Sequence, residues 1–383
     1  MMYNSEIYFF GGCAKNPKLF YTTLSGSLCK YAQNKHSSKE RRRYIRTDLP
    51  SFLVYQRRMI VFGPVPSRRL GQSLGINNIP PKICSYSCIY CQIGKTMDMQ
   101  AVREEFYKPE KIITDVETRL IELKKNEKVL DYITFVSDGE PTLDKNLEME
   151  IELLKRMNVK IAVITNASLI WDSDVREALY KADWVSIKVD AISEDIWRRI
   201  NRPHRSLKLE EILNGILEFS SVFGSTLATE TMLVQGVNDT IDEVEKIASF
   251  LVNLSPDKCY ISIPTRPPAE KWSIPPDEEI INIAYQVFDK RLNTEYLIGY
   301  EGNAFASTGN LKEDLLSITS VHPMREEGVE ELLAKTGSGW ESVKKLVDDN
   351  ELTVVGYNGK MFYMRKLLGK QRLESKKCEL HRS

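Results

Sequence analysis

Cys84-Ser85-Tyr86-Ser87-Cys88-Ile89-Tyr90-Cys91 is the stretch that decides how this chain is read. The spacing is C-x3-C-x2-C, with an aromatic residue directly before the last cysteine. Thiolates gathered in one short loop are ligands for soft metals and iron–sulfur clusters. A closed structural zinc site takes four ligands, as cysteine pairs or as cysteines with a histidine pair. Here the set stops at three, and the histidines, His36, His204, His322 and His381, all lie elsewhere. A cubane cluster on three cysteines leaves one iron for an exchangeable ligand. Zinc completed by Cys259 or a distant histidine is the competing reading, and three unconnected thiols is the weakest.

Outward from the loop, apolar runs end in small or polar residues. Tyr132-Ile-Thr-Phe-Val136 leads into Ser137-Asp138-Gly139-Glu140-Pro141-Thr142-Leu143. Lys160-Ile-Ala-Val-Ile164 leads into Thr165-Asn166-Ala167-Ser168. Trp184-Val-Ser-Ile-Lys188-Val-Asp190 and Thr231-Met-Leu-Val234-Gln-Gly236 follow. Between them, Ile112, Val116, Leu120 and Leu123 recur at helical spacing after Pro109. Thr240-Ile-Asp-Glu243 fits a capping box that opens another helix. Strand–helix alternation predicts a parallel α/β sheet, and this many units predict a full or partial (β/α) TIM-like barrel. Chemistry in such barrels gathers at the carboxyl ends of the strands, where these motifs fall.

The cysteine spacing, the Asp138-Gly139-Glu140-Pro141 segment and the order of the later strand ends resemble the radical S-adenosylmethionine (SAM) superfamily, from about Ile60 to Gly302. Phe62-Gly-Pro-Val-Pro-Ser-Arg68-Arg69-Leu-Gly71, Ile263-Pro-Thr-Arg266-Pro-Pro268 and Gly299-Tyr-Glu301-Gly-Asn303 are similar to a subgroup likened to the wyosine-forming tRNA enzymes. The wyosine enzymes carry a second cluster on three further cysteines ahead of the core, whereas only Cys13 and Cys29 precede the loop here. The resemblance implies a [4Fe–4S] cluster on Cys84, Cys88 and Cys91, with SAM on the open iron. Reductive cleavage of SAM would then give methionine and a 5′-deoxyadenosyl radical that attacks a substrate. It also implies an electron donor such as ferredoxin or flavodoxin.

Carried over residue by residue, Asp138, Gly139 and Glu140 would meet the methionine ammonium through backbone groups. Asn166 and Ser168 would meet the ribose, and Lys188 the methionine carboxylate, with Asp190 two residues on. Tyr90 would lie against adenine. Each has a plainer structural reading: a solvated turn, a strand-end turn, an ion pair, or a solvent-excluding aromatic. Arg68, Arg69, Arg202, Arg266 and Glu301 are substrate candidates, since guanidinium groups grip anions in bidentate fashion. A surface or structural role competes at every one.

Positive and negative side chains balance at 53 each, yet residues 1–58 hold eleven Lys/Arg against three Asp/Glu. That segment is expected to be a disordered tail or a translated leader ahead of a core over 59–305. No run approaches the ~20 apolar residues of a membrane span. Seven cysteines without paired framing suit a reducing cytoplasm. Beyond the core, 312–368 reads as a small winged-helix-like domain with a basic tail over 369–383. Its evidence is a helix over 326–335, a Ser338–Glu341 capping box opening a second, and strands 352–355 and 361–364. The latter flank Asn358-Gly359, a type I′ hairpin signal. Three functions remain open: a radical SAM enzyme acting on tRNA or another RNA, one acting on a protein or small metabolite, and a non-catalytic metal-binding module.

Overall fold

The computed structural model describes residues 60–125, 129–297, 307, 309–321 and 323–366. The chain divides into two units, Met1–Pro50 and Ser51–Ser383, and the described residues all belong to the second. The basic extension over 1–58, Glu301, Cys13, Cys29, Cys378 and the tail over 369–383 lie outside the described residues.

Strands β1 (Val61–Ser67) and β2 (Gly71–Ile76) form an antiparallel hairpin. The chain then makes the two-residue strands β3 (Ile83–Cys84) and β4 (Asp98–Met99), which pair with each other. Helix α1 (Pro109–Lys125) follows, burying Ile112, Val116 and Leu123 as the helical spacing predicts. From there the alternation runs β5 (Tyr132–Phe135), α2 (Leu147–Lys155), β6 (Lys160–Thr165), α3 (Ser173–Tyr180) and β7 (Trp184–Lys188). It continues through α4 (Glu194–Ile200), α5 (Leu209–Val222), β8 (Thr226–Met232), α6 (Ile241–Leu254), β9 (Lys258–Ser262), α7 (Glu278–Asp289) and β10 (Thr294–Tyr296).

The main sheet has the order β1-β2-β5-β6-β7-β8-β9-β10, parallel from β2 onward. Among the described residues β1 and β10 remain edges, so the barrel is partial. Period-2 alternation sorts the strands. Val163, Val185, Leu227 and Ile261 enter the large core shared with the helices, while Ala162, Trp184, Ala228 and Tyr260 pack together on the opposite, inner face.

Two local expectations are corrected. Thr240 caps α6 through its hydroxyl, but Glu243 does not reach back to it. Its carboxylate instead accepts from the amides of Ile192 (2.6 Å) and Ser193 (2.9 Å), tying α6 to the loop after β7. Ser338 likewise caps nothing: Gly339 stands at the helix start, and the Ser338 hydroxyl accepts from Thr336.

Beyond β10 come α8 (Leu311–Val321), β11 (Met324–Arg325), α9 (Glu326–Thr336), α10 (Trp340–Asp348), β12 (Leu352–Tyr357) and β13 (Lys360–Arg365). The expected helix pair and hairpin are present, with Asn358 and Gly359 both at positive φ. The first helix, α8, and the short β11 were not legible in the sequence. This region has its own core, built on Leu315, Ile318, Met324, Val329, Leu332 and Leu352, against which Val65 of β1 packs.

Candidate active site

The loop from β2 to α1 carries the three cysteines, and it is bound into the fold at many points. Lys82 donates its amide to the Asp138 carbonyl (2.7 Å), and Glu140 donates its amide to the Ile83 carbonyl (3.2 Å). Gly139 lies so close that a Cβ there would meet the Ile83 carbonyl oxygen at 1.8 Å. On the other flank, Ser87 and Ile89 donate to the carbonyls of Asn201 and Ile200, each at 3.0 Å, and His204 donates its amide to Ser85. The cysteines therefore sit on a rigid loop at the carboxyl ends of β2, β5, β6 and β7.

The thiols are free. Burial pushes Cys88 up to about 12, with the Asp190 charge adding to it, and raises Cys84 and Cys91 as well. A coordinated cation reverses this balance, because a ligating thiol is deprotonated outright. Among the described residues no three His, Cys, Asp or Glu side chains are grouped as a single metal ion would require. A cubane cluster makes no such demand, since each cysteine takes its own iron. Neither described candidate for a fourth zinc ligand joins the set. Cys259 is buried in the large core, and His204 pairs its Nδ1 with the Ser206 hydroxyl at 2.8 Å. The donor set fits an iron–sulfur cluster.

The residues proposed around the loop do converge there, though several side chains are turned to bracing. Glu140 is fully enclosed. Its Oε1 accepts from the Thr142 amide (3.1 Å) and the hydroxyls of Thr142 (2.7 Å) and Thr165 (2.6 Å), and its Oε2 from the Asn166 amide (2.8 Å). Burial still raises its carboxyl above the ordinary range against those four donors. Its side chain joins the ends of β5 and β6. Asn166 donates from Nδ2 to the Cys84 sulfur (3.5 Å) and Ser85 hydroxyl (3.1 Å). The Ser168 hydroxyl is buried against Ser85 at 2.5 Å, so its side chain faces the cysteine loop.

Lys188 is paired, but not with Asp190. Its Nζ donates to Glu230 (2.8 Å), its neighbour in register on β8, and lies 5.2 Å from the Tyr90 ring centre. Burial would lower the ammonium, but Glu230 and Asp190 outweigh it and hold Lys188 above its usual value. Asp190 accepts from the Tyr90 hydroxyl, Asn201 Nδ2 (2.8 Å) and the Met232 amide (2.9 Å). Tyr90 is thus held edge and face by Asp190 and Lys188.

Four of the substrate candidates lie among the described residues. Arg68 and Arg69 occupy the turn before β2, at the end of the parallel strands away from the cysteines. Arg68 is exposed there, while Arg69 reaches along the inner face to Glu230 (2.6 Å). Arg202 pairs with Glu270 (2.5 Å), and Arg266 donates to Gln92 beside Cys91 (2.7 Å). Arg69, Arg202 and Arg266 are thus each tied to a neighbouring element, and Arg68 faces water.

Sequence reasoning missed Glu230, which collects Arg69, Lys188 and the Ser262 hydroxyl (2.9 Å). Burial raises its carboxyl, yet Lys188 and Arg69 hold it far below the ordinary range. A lone carboxylate inside the otherwise uncharged stretch Thr226–Met232 was the available signal. Asn201, which also donates to the Cys88 sulfur (3.4 Å), was passed over for its neighbour Arg202.

A three-cysteine loop over the open end of a partial parallel barrel, stitched to a Gly-Glu-Pro turn, defines a radical SAM domain. The model of the Radical SAM superfamily matches residues 78–251. The UPF0026 protein of Methanocaldococcus jannaschii is 49% identical over 311 residues, spanning 80% of this chain and 96% of that one. The chain belongs to the UPF0026 family of the radical SAM superfamily, whose members use a [4Fe–4S] cluster and SAM. A probable dual-specificity RNA methyltransferase RlmN of a Thermotoga species is 23% identical over 62% of this chain and 68% of its own length. A solved structure of TYW1 with a lysine-pyruvate adduct covers 58% of this chain and 76% of that one, at 17% identity and a TM-score of 0.45.

Proposed function

We propose that Cys84, Cys88 and Cys91 hold the cluster, and that the protein cleaves SAM reductively to modify a substrate. The observation that carries this is the joining of the cysteine loop to the Gly139–Glu140 turn by paired backbone contacts, with Gly139 leaving no room for a side chain. When bound, the cluster supplies one electron and SAM a bond that the electron can break. The protein's part is to orient and to exclude water. Backbone groups of the Asp138–Glu140 turn would hold the amino-acid end of SAM, and Lys188 would hold its carboxylate. Asn166 holds Cys84, and Asp190 with Asn201 fixes Tyr90 beneath the ammonium of Lys188.

An RNA substrate has the RlmN relative in its support. The charge distribution favours the protein or small-metabolite reading, since residues from Met59 onward carry 42 Lys/Arg against 50 Asp/Glu and phosphate binding needs the opposite excess. The winged-helix-like reading of the last domain rests on its element order, and α9 presents four glutamates. The reaction needs a protein electron donor, and a cytoplasmic setting belongs to the same proposal. Among the described residues no helix is long and apolar enough to cross a membrane.

The test is anaerobic: reduced, cluster-loaded protein given SAM is expected to form 5′-deoxyadenosine and methionine. Loaded protein that leaves SAM intact under strong reduction would overturn the enzymatic reading.

A further inference from the structure

Outside the barrel mouth, beside the cysteine loop, lies a groove of about 630 Å³. One wall is the segment Ala101–Arg103, which follows Gln100, whose amide donates to the Cys84 carbonyl (3.2 Å). The facing wall is the turn Leu169–Asp172 with the start of α3, immediately after the Asn166–Ser168 segment that holds Cys84 and Ser85. Both walls are thus continuous with the cysteine loop.

The groove presents large apolar groups to water. Val102 is 70% exposed and Trp171 is 44% exposed. The backbone of Trp171 is also pinned. Arg176 donates to the carbonyls of Ile170 (2.9 Å) and Trp171 (2.8 Å) while pairing with Glu218 (2.8 Å). Gly215 of α5 lets the turn pack closely, since a Cβ there would meet the Trp171 amide nitrogen at 2.7 Å. Pinning the backbone that carries a solvent-facing tryptophan removes the backbone share of the ordering cost of a contact made through it. Tryptophan is also among the residues most enriched where binding energy concentrates.

Charge selects the partner. Asp172, Asp174 and Glu177 rim the tryptophan side, while Glu148 on α2 is already paired with Lys181 at 3.3 Å. The opposing cations are Arg103 and Lys145. Arg103 is turned to the Thr142 and Asp144 carbonyls, each at 3.1 Å. The acidic rim repels a phosphate backbone and attracts ammonium or guanidinium groups, which also stack favourably on an indole face.

We infer that this groove is a docking site for a polypeptide partner that inserts an apolar side chain flanked by lysine or arginine. The site addresses the cysteine loop from outside the barrel, so its occupant leaves the inner face open to substrate. The inference makes no use of SAM chemistry, and its failure would leave that reading standing.

The experiment uses the full chain and fluorescence anisotropy of a short labelled peptide alternating lysine and leucine. A glutamate–leucine peptide, a lysine–serine peptide and a single-stranded RNA serve as comparisons. The lysine–leucine peptide is expected to bind saturably and most tightly. Trp171→Ala should weaken it by about tenfold or more, and Val102→Ser, at a still more exposed position and without a change of charge, should weaken it too and covers any folding defect at Trp171. Asp174→Asn with Glu177→Gln should cost roughly two- to fivefold per charge. Glu326→Gln with Glu327→Gln on α9 should change nothing. The proposal is overturned if the peptide does not bind saturably, or if Trp171→Ala and Val102→Ser bind it as the parent does. Equal weakening by the α9 pair, or displacement of the peptide by the RNA, overturns it as well.

Discussion

Gly139→Ala is the smallest change that should undo the site. The added Cβ would lie 1.8 Å from the Ile83 carbonyl oxygen and 2.8 Å from its carbon, both backbone atoms that no rotamer change can move. Ordinary carbon–oxygen contacts begin above about 3 Å, so the two segments must part by roughly 1–1.5 Å. That separation breaks the Glu140 amide to Ile83 carbonyl bond and strains the Lys82 amide to Asp138 carbonyl bond beside it. Each lost bond costs about 0.5–1.5 kcal/mol and the overpacking about 1–3 kcal/mol. A total of roughly 2–5 kcal/mol is expected, all of it at the segment that carries Cys84. The assay is paired: thermal melting of the apo chain, and iron content after anaerobic reconstitution. Gly139→Ala should melt lower by several degrees and load substantially less iron. A variant with the parent's melting temperature and full iron would refute the claim that this close approach shapes the loop.

Glu140→Gln should destabilise by about 1–3 kcal/mol, because its new NH2 group faces donors that the carboxylate accepted; chemical denaturation checks it, and an unchanged midpoint would contradict the bracing role. Lys188→Met removes the cation that most depresses Glu230. Glu230 contributes stability above the unfolded glutamate value of about 4.3, and that contribution is lost as pH falls. The variant should therefore begin to lose stability at higher pH than the parent, which a series of acid melts would show. Glu150 behaves oppositely: burial and the nearby Asp144 charge raise its carboxyl, so the folded state holds a proton that the unfolded state releases above about pH 4.3. Stability should fall as pH rises, and Glu150→Gln should flatten that slope; parallel curves for parent and variant would exclude it.

Much of this architecture was legible because it rests on local rules. The Ile112–Leu123 stripe, the Asn358-Gly359 turn and the runs at Tyr132, Lys160 and Trp184 each announce their element within a few residues. The cysteine triplet likewise marks a soft-metal ligand set within eight residues. What stayed hidden depends on register and on contacts across long sequence separations. Lys188 and Glu230 are 42 positions apart and meet only because β7 and β8 pair in that register. Arg69 reads as a surface guanidinium, and only the placement of its turn below the sheet sends it along the inner face to Glu230. Glu243 satisfied a capping pattern and was drawn instead to two amides of the neighbouring loop. α8 escaped notice because its apolar residues face a core shared with β1 and the final hairpin.

The most direct test of the account is the iron and acid-labile sulfide content of the anaerobically reconstituted chain and of its Cys84→Ala, Cys88→Ala and Cys91→Ala variants. About four irons and four sulfides per chain are expected for the parent, as a cubane cluster requires, with a large loss in each variant and none in Cys259→Ala. Stoichiometric zinc without sulfide, or a cluster that survives loss of any one of the three cysteines, would contradict it.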